Sequence, residues 1–452
     1  MKEIKIRNLL EKNDPICFVV SNLFSKDDCK SIINKYNAFQ SANEKYPTYY
    51  RNNERQEIID DTFAEILLTK CIQYIPNEIK LQDESWELQE INPKIRLCRY
   101  LKNQYFHRHL DGVHYKSEQE QSFLTFMIYL NDSSDFIGGK TLFYKTKYAK
   151  KVWVNYQPKI GDIIIFDHSI WHEGERLLKG EKYVLRSDII YKKNKSENKN
   201  INHHLGYIWK LIQHDNTIIS CGRDKRIKIW NEELKTLSSI EAHQNSILAL
   251  CLLSKNTFIS ASRDKKIKVW NTAKNKISIV KEIDTHRATI TDLAKIDKNT
   301  FASCGADNSI MIHNISNDKT IKIIAHTDWI WKLLKIGQTL VSCGEDGVIN
   351  IIDLKTHSIF SSFSENAISI NSLCYLKHIK TLLAGNIKGE VLLFQFKNNE
   401  LIYKNKIKIH KDKINDIQFL PNNLIATASE DNYVKVFNLQ RLQIIKQFEH
   451  PN

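Results

Sequence analysis

Two short stretches, far apart in the chain, carry side chains able to hold one metal ion between them. Gln104 to Asp111 reads QYFHRHLD, and Phe166 to Gly174 reads FDHSIWHEG. In the first, His109 and Asp111 stand two apart at the end of a strand-like alternation, which puts both side chains on one face. The second follows the apolar run Ile163 to Phe166, the mark of a buried strand, and supplies His172, 61 residues after Asp111. His168, four residues before His172, competes with it. Two imidazoles and one carboxylate on one side of a cation leave three positions open, the donor set of non-haem Fe(II) sites that activate dioxygen. An HxD pair alone is a common surface accident, so its surroundings decide its meaning.

The elements that must position these residues read as strands. FLTFMIYLN at Phe123 to Asn131 is followed by a turn at Asp132 to Gly139 and a new strand at Thr141 to Tyr144. After His172, a turn at Gly180 precedes KYVLRSDII, Lys182 to Ile190. Here Lys182, Val184, Arg186 and Asp188 alternate with Tyr183, Leu185 and Ser187, so a cation faces the same way as the histidines. The first eighty residues read as helical. Ser25 is an N-cap before KDDCKSIINKYNAF, and Cys29, Ile32, Ile33 and Tyr36 form an apolar stripe suited to backing a barrel.

Residues Cys17 to Tyr191 resemble the prolyl 4-hydroxylase-like family of Fe(II)/2-oxoglutarate-dependent dioxygenases. The resemblance rests on NLFSKDDCKSII at Asn22, YRNNER at Tyr50, RYLKNQYFHRHLDG at Arg99, SFLTFMIYLN at Ser122, GGKTLFY at Gly138 and GDIIIFDHSIWHEGERLLKGEKYVLRSDIIY at Gly161. It implies a double-stranded β-helix, or jelly roll, with flanking N-terminal helices. By motif, His109, Asp111 and His172 would hold Fe(II), and Lys182 would meet the distal carboxylate of 2-oxoglutarate with Tyr100 and Thr141. It further implies ascorbate dependence and a peptide or protein substrate, prolyl hydroxylation being the leading expectation. Arg186 is a rival anion holder, but four residues along a strand is roughly 13 Å, so it and Lys182 cannot share one task. Arg51, Asn53 and Arg55 belong to a family motif near the site mouth. Asn103 replaces the usual glycine before His109, and asparagine tolerates a left-handed backbone best. Ile137 and Lys140 flank the glycine pair where the family often has acidic residues.

The remaining sequence sets bounds. A chain of 452 residues with 42% hydrophobic content supports two or three domains. Nine cysteines with no CxxC pair read as reduced core thiols, and neither a signal peptide nor a membrane span is seen, so the expectation is a cytoplasmic protein. The net charge of +14 is scattered lysine rather than an arginine-and-aromatic patch, which argues against a nucleic-acid partner.

KKNKSENKNINH, before His204, reads as a polar linker. This gives an oxygenase domain at 1–192, a linker at 193–203 and a repeat domain at 204–452. Six units begin near Ser220, Ser260, Ser303, Ser342, Leu383 and Thr427, with Asp224, Asp264, Asp307, Asp346, Lys388 and Asp431 spaced by 40, 43, 39, 42 and 43 residues, the period of propeller blades. The units resemble WD repeats, implying a six-bladed β-propeller. His204, His243, His286, His326 and His410 would join each Ser/Thr and Asp in a buried network, completed by tryptophan only at Trp230 and Trp270. Periodic repetition makes these sets structural rather than hydrolytic. The fifth unit, with Ala384 and Lys388, is expected to be the loosest, and closure would rest on packing between first and last blades.

Tyr207, Trp209, Arg223, Arg263, Trp329 and Trp331 are candidates for a partner-binding face, tryptophans between blades being the plainer reading. Beside the expected protein hydroxylase stand two other readings: a propeller scaffold with a non-catalytic oxygenase domain, and a hydroxylase of a free amino acid or nucleic acid.

Overall fold

The computed structural model describes residues 3–449 except 12–13, 43–45, 48–49, 82–83, 118, 195–202, 273–276 and 365. Most of the expected linker therefore lies outside the described residues. The chain divides into two compact units, Met1–Ile201 and Asn202–Asn452, both built almost wholly of strands.

In the first unit the apolar runs become strands buried on both faces. Ile163–Asp167 shows why: Ile163 and Ile165 point to one side with Leu97, Phe126, Ile128 and Leu185, while Ile164 and Phe166 point to the other with Val19, Tyr129 and Val184. These strands belong to a ten-stranded sheet whose central order is Cys17–Ser21, Ile163–Asp167, Glu120–Tyr129, Lys182–Lys193, Lys94–Tyr100 and Glu54–Ile59. A smaller sheet runs Val154–Tyr156, Thr141–Tyr144, Trp171–Gly174, Phe106–His109. Phe143 and Tyr156 of the smaller sheet pack onto Ile164, Phe166 and Val184 of the larger, which closes the jelly roll.

The N-terminal region is less helical than its sequence suggests. Helices occupy Lys26–Lys35, capped by a Ser25/Asp28 capping box, and Asp61–Cys71, capped by Asp60. Cys29, Ile32, Leu67 and Cys71 cover the outer face of the large sheet. Cys17–Ser21, Glu54–Ile59 and Glu78–Leu81 are strands instead. CFVVS and ERQEII are too short for a helical period to be told from an alternating one, and pairing with sheet neighbours decided them.

The second unit holds, among its described residues, six four-stranded antiparallel sheets, spanning 208–241, 247–283, 290–324, 330–364, 370–408 and 414–449. Each packs on the next through an apolar layer, as Leu383 and Val391 do on Ile414, Ile417, Ile425 and Phe437. The end faces lack such cover. Ile208 and Leu211 are 49% and 57% exposed, where Ile414 and Ile417 at equivalent positions of the last sheet are 0% and 1%. On the other end Val434 is 37% exposed, where Val391 at the equivalent position of the fifth sheet is buried. Packing between first and last sheets thus does not seal the ring among the described residues.

The repeated polar sets are hydrogen-bonded as buried groups must be. His243 Nδ1 contacts the Asp264 carboxylate, its Nε2 meets Ser260 Oγ at 2.7 Å, and Trp270 Nε1 donates to the same oxygen at 2.8 Å. In the third sheet His313 stands in for tryptophan, 2.8 Å from Ser303 Oγ, a substitution the repeat pattern did not flag. The fifth sheet lacks the His/Ser/Asp set but replaces part of it. Asn386 Oδ1 accepts from the amides of Lys388 and Glu390, rebuilding the turn, and Leu382, Ala384 and Phe394 are fully buried. Ser260→Ala should cost about 1–3 kcal/mol, since it strands two buried ring nitrogens. Denaturant unfolding followed by tryptophan fluorescence measures this, and a midpoint equal to that of the unsubstituted chain would make the network dispensable.

Candidate metal centre and oxygenase site

The smaller sheet brings the distant histidines together. Phe106–His109 and Trp171–Gly174 are antiparallel neighbours in which His109 lies directly opposite His172, and Asp111 follows the first strand at once. Ligand atoms of His109, Asp111 and His172 all lie within 4.8 Å of one another, and all three residues are buried. Each histidine is oriented from behind: His109 Nδ1 lies 2.7 Å from the His107 carbonyl and His172 Nδ1 3.0 Å from that of Ile170. A carbonyl only accepts, so Nδ1 carries the proton and the Nε2 lone pair faces the centre.

Electrostatics sets the protonation states that metal binding needs. Burial holds His172 neutral, its pKa brought down to about 3, and lowers that of His109 too. Burial opposes ionisation of Asp111, and the Arg186 guanidinium outweighs it and keeps the carboxylate charged. Thr125 Oγ1 donates to Asp111 Oδ2 at 2.5 Å, and Arg186 Nη2 is 2.6 Å from Oδ1. His109 Nε2 is buried without a hydrogen-bond partner. A buried acceptor with no donor, beside a second neutral imidazole and an ionised carboxylate, fits a divalent cation of the Fe(II) type.

Lys182 opens the long strand next to this cluster, paired with Tyr100 across the sheet. The residue is 4% exposed, and its ammonium group donates to the Gly139 carbonyl at 2.5 Å and lies 5.5 Å from the rings of Tyr100 and Tyr129. No carboxylate is within ion-pair distance of it among the described residues, and burial lowers its pKa to about 7. Thr141 Oγ1 is 2.7 Å from Tyr129 Oη. Lys182, Tyr100, Thr141, His109, Asp111 and His172 all line one cavity, together with Arg51 and Arg186. An enclosed cation with hydroxyls beside it is matched to a small carboxylate.

Arg186 lies on the same strand face but does a different job, bound to Asp111 and 3.5 Å from Asp188. His168 is outside the cluster, 4.0 Å from Asp188. His107 is exposed and His114 half-buried, neither in the cluster. Asn103 does adopt the left-handed backbone, φ 69°, and Ile137 is exposed beside Gly138 and Gly139, both at positive φ. Tyr129 and Thr125 went unnoticed in the sequence because they sit inside an apolar strand, where only the alternation of FLTFMIY would have marked them as facing the site.

In the second unit, Tyr207 and Trp209 are exposed with ring centroids 5.6 Å apart, and Arg223 lies over Tyr207. Trp329 is buried, Trp331 is half-buried and donates to Glu345 at 2.7 Å, and Arg263 is half-buried.

Residues 95–187 match the 2OG-Fe(II) oxygenase superfamily. Residues 195–231, 234–271 and 402–438 match the WD domain, G-beta repeat. An uncharacterized WD repeat-containing protein of Acanthamoeba polyphaga mimivirus is 29% identical over 72 residues, 16% of this chain and 14% of that protein. No helix among the described residues is long and apolar enough to cross a membrane.

Proposed function

We propose that this chain, which carries a 2OG-Fe(II) oxygenase domain followed by WD repeats, hydroxylates a peptide or protein side chain, proline first among the candidates, and recruits its target through the repeats. The observation that supports this most is the His109, Asp111 and His172 cluster sharing one cavity with Lys182, which has no carboxylate partner among the described residues. Fe(II) and 2-oxoglutarate, when bound, would supply the oxidising chemistry with dioxygen: 2-oxoglutarate loses CO2 and takes one oxygen atom of dioxygen to become succinate, and the other oxygen atom goes to the substrate.

The chain's residues prepare for this. His109, Asp111 and His172 would hold the metal, the carbonyls of His107 and Ile170 fix the imidazole tautomers, and Lys182 with Tyr100 and Thr141 would take the distal carboxylate. Phe106 and Phe166 wall the centre with apolar surface that keeps bulk water away. Ascorbate as a reductant and a cytoplasmic location complete the proposal. The test is mass spectrometry of proteins captured by the intact chain and by its Asp111→Ala variant, searched for an added oxygen. Failure to find any protein modified only with the unsubstituted chain would sink the protein-hydroxylase reading.

The repeats are assigned to recruitment because Tyr207 and Trp209 are exposed, and Tyr, Trp and Arg dominate binding hot spots. The last strand of the first unit runs to Lys193 and Asn194 still bonds the Ser85 carbonyl, so residues 1–194 are the proper catalytic fragment. That fragment should turn over 2-oxoglutarate yet show a KM for the captured target raised roughly tenfold or more, since a second contact acts through effective concentration. Equal efficiency of fragment and full chain would refute recruitment.

A further inference from the structure

The cations around the oxygenase site are not all balanced. Arg96 pairs with Asp188, Arg186 with Asp111, Arg108 with Glu173, and Arg55 with Glu57. Lys182 and Arg51 line the cavity with no carboxylate within ion-pair distance among the described residues. Lys182 is accounted for if it receives 2-oxoglutarate, which leaves Arg51 over. A role for Arg51 in binding substrate rests on that oxygenase reading.

Arg51 is 3% exposed and lines the same cavity. Its Nε donates to Asn53 Oδ1 at 2.9 Å, and Nη2 approaches Cys98 Sγ at 3.8 Å. The guanidinium plane lies 4.0 Å from the Phe106 ring centre and 5.3 Å from that of Tyr46. Phe106 in turn stacks on His109 with centroids 3.6 Å apart, so one phenyl ring separates Arg51 from a residue of the metal cluster. Among the described residues this buried guanidinium is surrounded by phenols, a thiol and a carboxamide and is under-compensated, because buried charges are normally paired. With Phe106 against it and Nε engaged by Asn53, it offers a ligand the edge carrying its terminal nitrogens, the geometry that pairs with a planar carboxylate through parallel N–H bonds.

We infer that Arg51 is a second anion subsite in this cavity, and that it receives a carboxylate of the substrate rather than of the cosubstrate. The separation of about one aromatic ring from His109 places that carboxylate on the hydroxylated residue or its immediate neighbour. Two sources supply such a group, a chain-terminal carboxylate and an acidic side chain next to the target.

The test uses the full chain loaded with Mn(II) and N-oxalylglycine, an inert analogue of 2-oxoglutarate, and measures binding of four probes by calorimetry. N-acetyl-L-proline and its amide report a terminal carboxylate. N-acetyl-L-prolyl-L-aspartic acid α-amide and its asparagine counterpart report an acidic neighbour. One acid of the two should bind about tenfold or more tighter than its neutral partner, and which one it is identifies the source. Arg51→Met should erase that preference and leave N-oxalylglycine affinity within about twofold, while Arg51→Lys restores part of the preference, with thermal melting confirming that both variants fold. Equal binding of acids and amides overturns the inference, as does loss of N-oxalylglycine affinity in Arg51→Met, which would make Arg51 the cosubstrate anchor. If N-oxalylglycine fails to bind the unsubstituted chain, the oxygenase reading falls as well, so the two failures are distinguishable.

Discussion

Replacing Asp111 with alanine is expected to abolish Fe(II) retention and 2-oxoglutarate turnover together. Asp111 is the only carboxylate in the three-residue cluster, and its two oxygens face both histidines, at 3.6 Å from His109 Nε2 and 3.5 Å from His172 Nε2. Without it, two neutral imidazoles and the Arg186 guanidinium would face the cation, and a positive charge 2.6 Å from the former carboxylate would oppose binding. His109→Ala and His172→Ala should likewise lose turnover, since each removes a lone pair that the fold has aimed at the centre through an Nδ1–H bond to a carbonyl.

The controls are His107→Ala, His114→Ala and His168→Ala, which should retain metal and measurable activity. His168 is the informative one, because it is buried and lies near Asp188, yet stands outside the cluster. Metal content by atomic absorption, measured beside succinate release, decides the matter. Loss of iron in His168→Ala with retention in His172→Ala would overturn the assignment.

Much of this site could be read from spacing because strands impose a period of two. Lys182, Val184, Arg186 and Asp188 share a face in the structure as their alternation requires, and Thr141–Tyr144 is a strand with the expected ends. What spacing could not supply is which of two cations on one face is free. Arg186 and Lys182 are equivalent in the pattern, and only the fold shows that Arg186 is engaged by Asp111 and Asp188 while Lys182 meets no carboxylate among the described residues. The same limit applies to Arg51, which the sequence offers as one of three polar residues in a loop. Its partner Phe106 is 55 positions away, and they meet only through an isolated bridge between two segments. In the repeats, the His/Ser/Asp sets were legible because they recur, whereas His313 and Asn386 do their work where the recurrence fails.

Lys182→Ala is expected to weaken 2-oxoglutarate binding by about 3 kcal/mol, roughly a hundredfold, with iron still bound. Burial is the cause. The ammonium group is held among Tyr100, Tyr129 and the Gly139 carbonyl, with its pKa lowered to about 7 because burial outweighs the attraction of Cys98 and Glu175. A dicarboxylate reaching this point supplies the missing counter-charge and raises the pKa of the lysine. Binding must therefore take up a proton when the free site is deprotonated, so affinity should fall as pH rises above about 7 and level off below it.

Lys182→Arg should keep most of the affinity and lose the pH dependence, because guanidinium stays charged throughout. Arg186→Ala should act differently, reducing metal affinity through Asp111 more than cosubstrate affinity. Calorimetry in two buffers of different ionisation enthalpy reads the proton uptake directly. Unchanged 2-oxoglutarate affinity in Lys182→Ala, with a hundredfold loss in Arg186→Ala, would move the anchor further along the same strand face and return Lys182 to the role of a buried, carbonyl-bonded structural lysine.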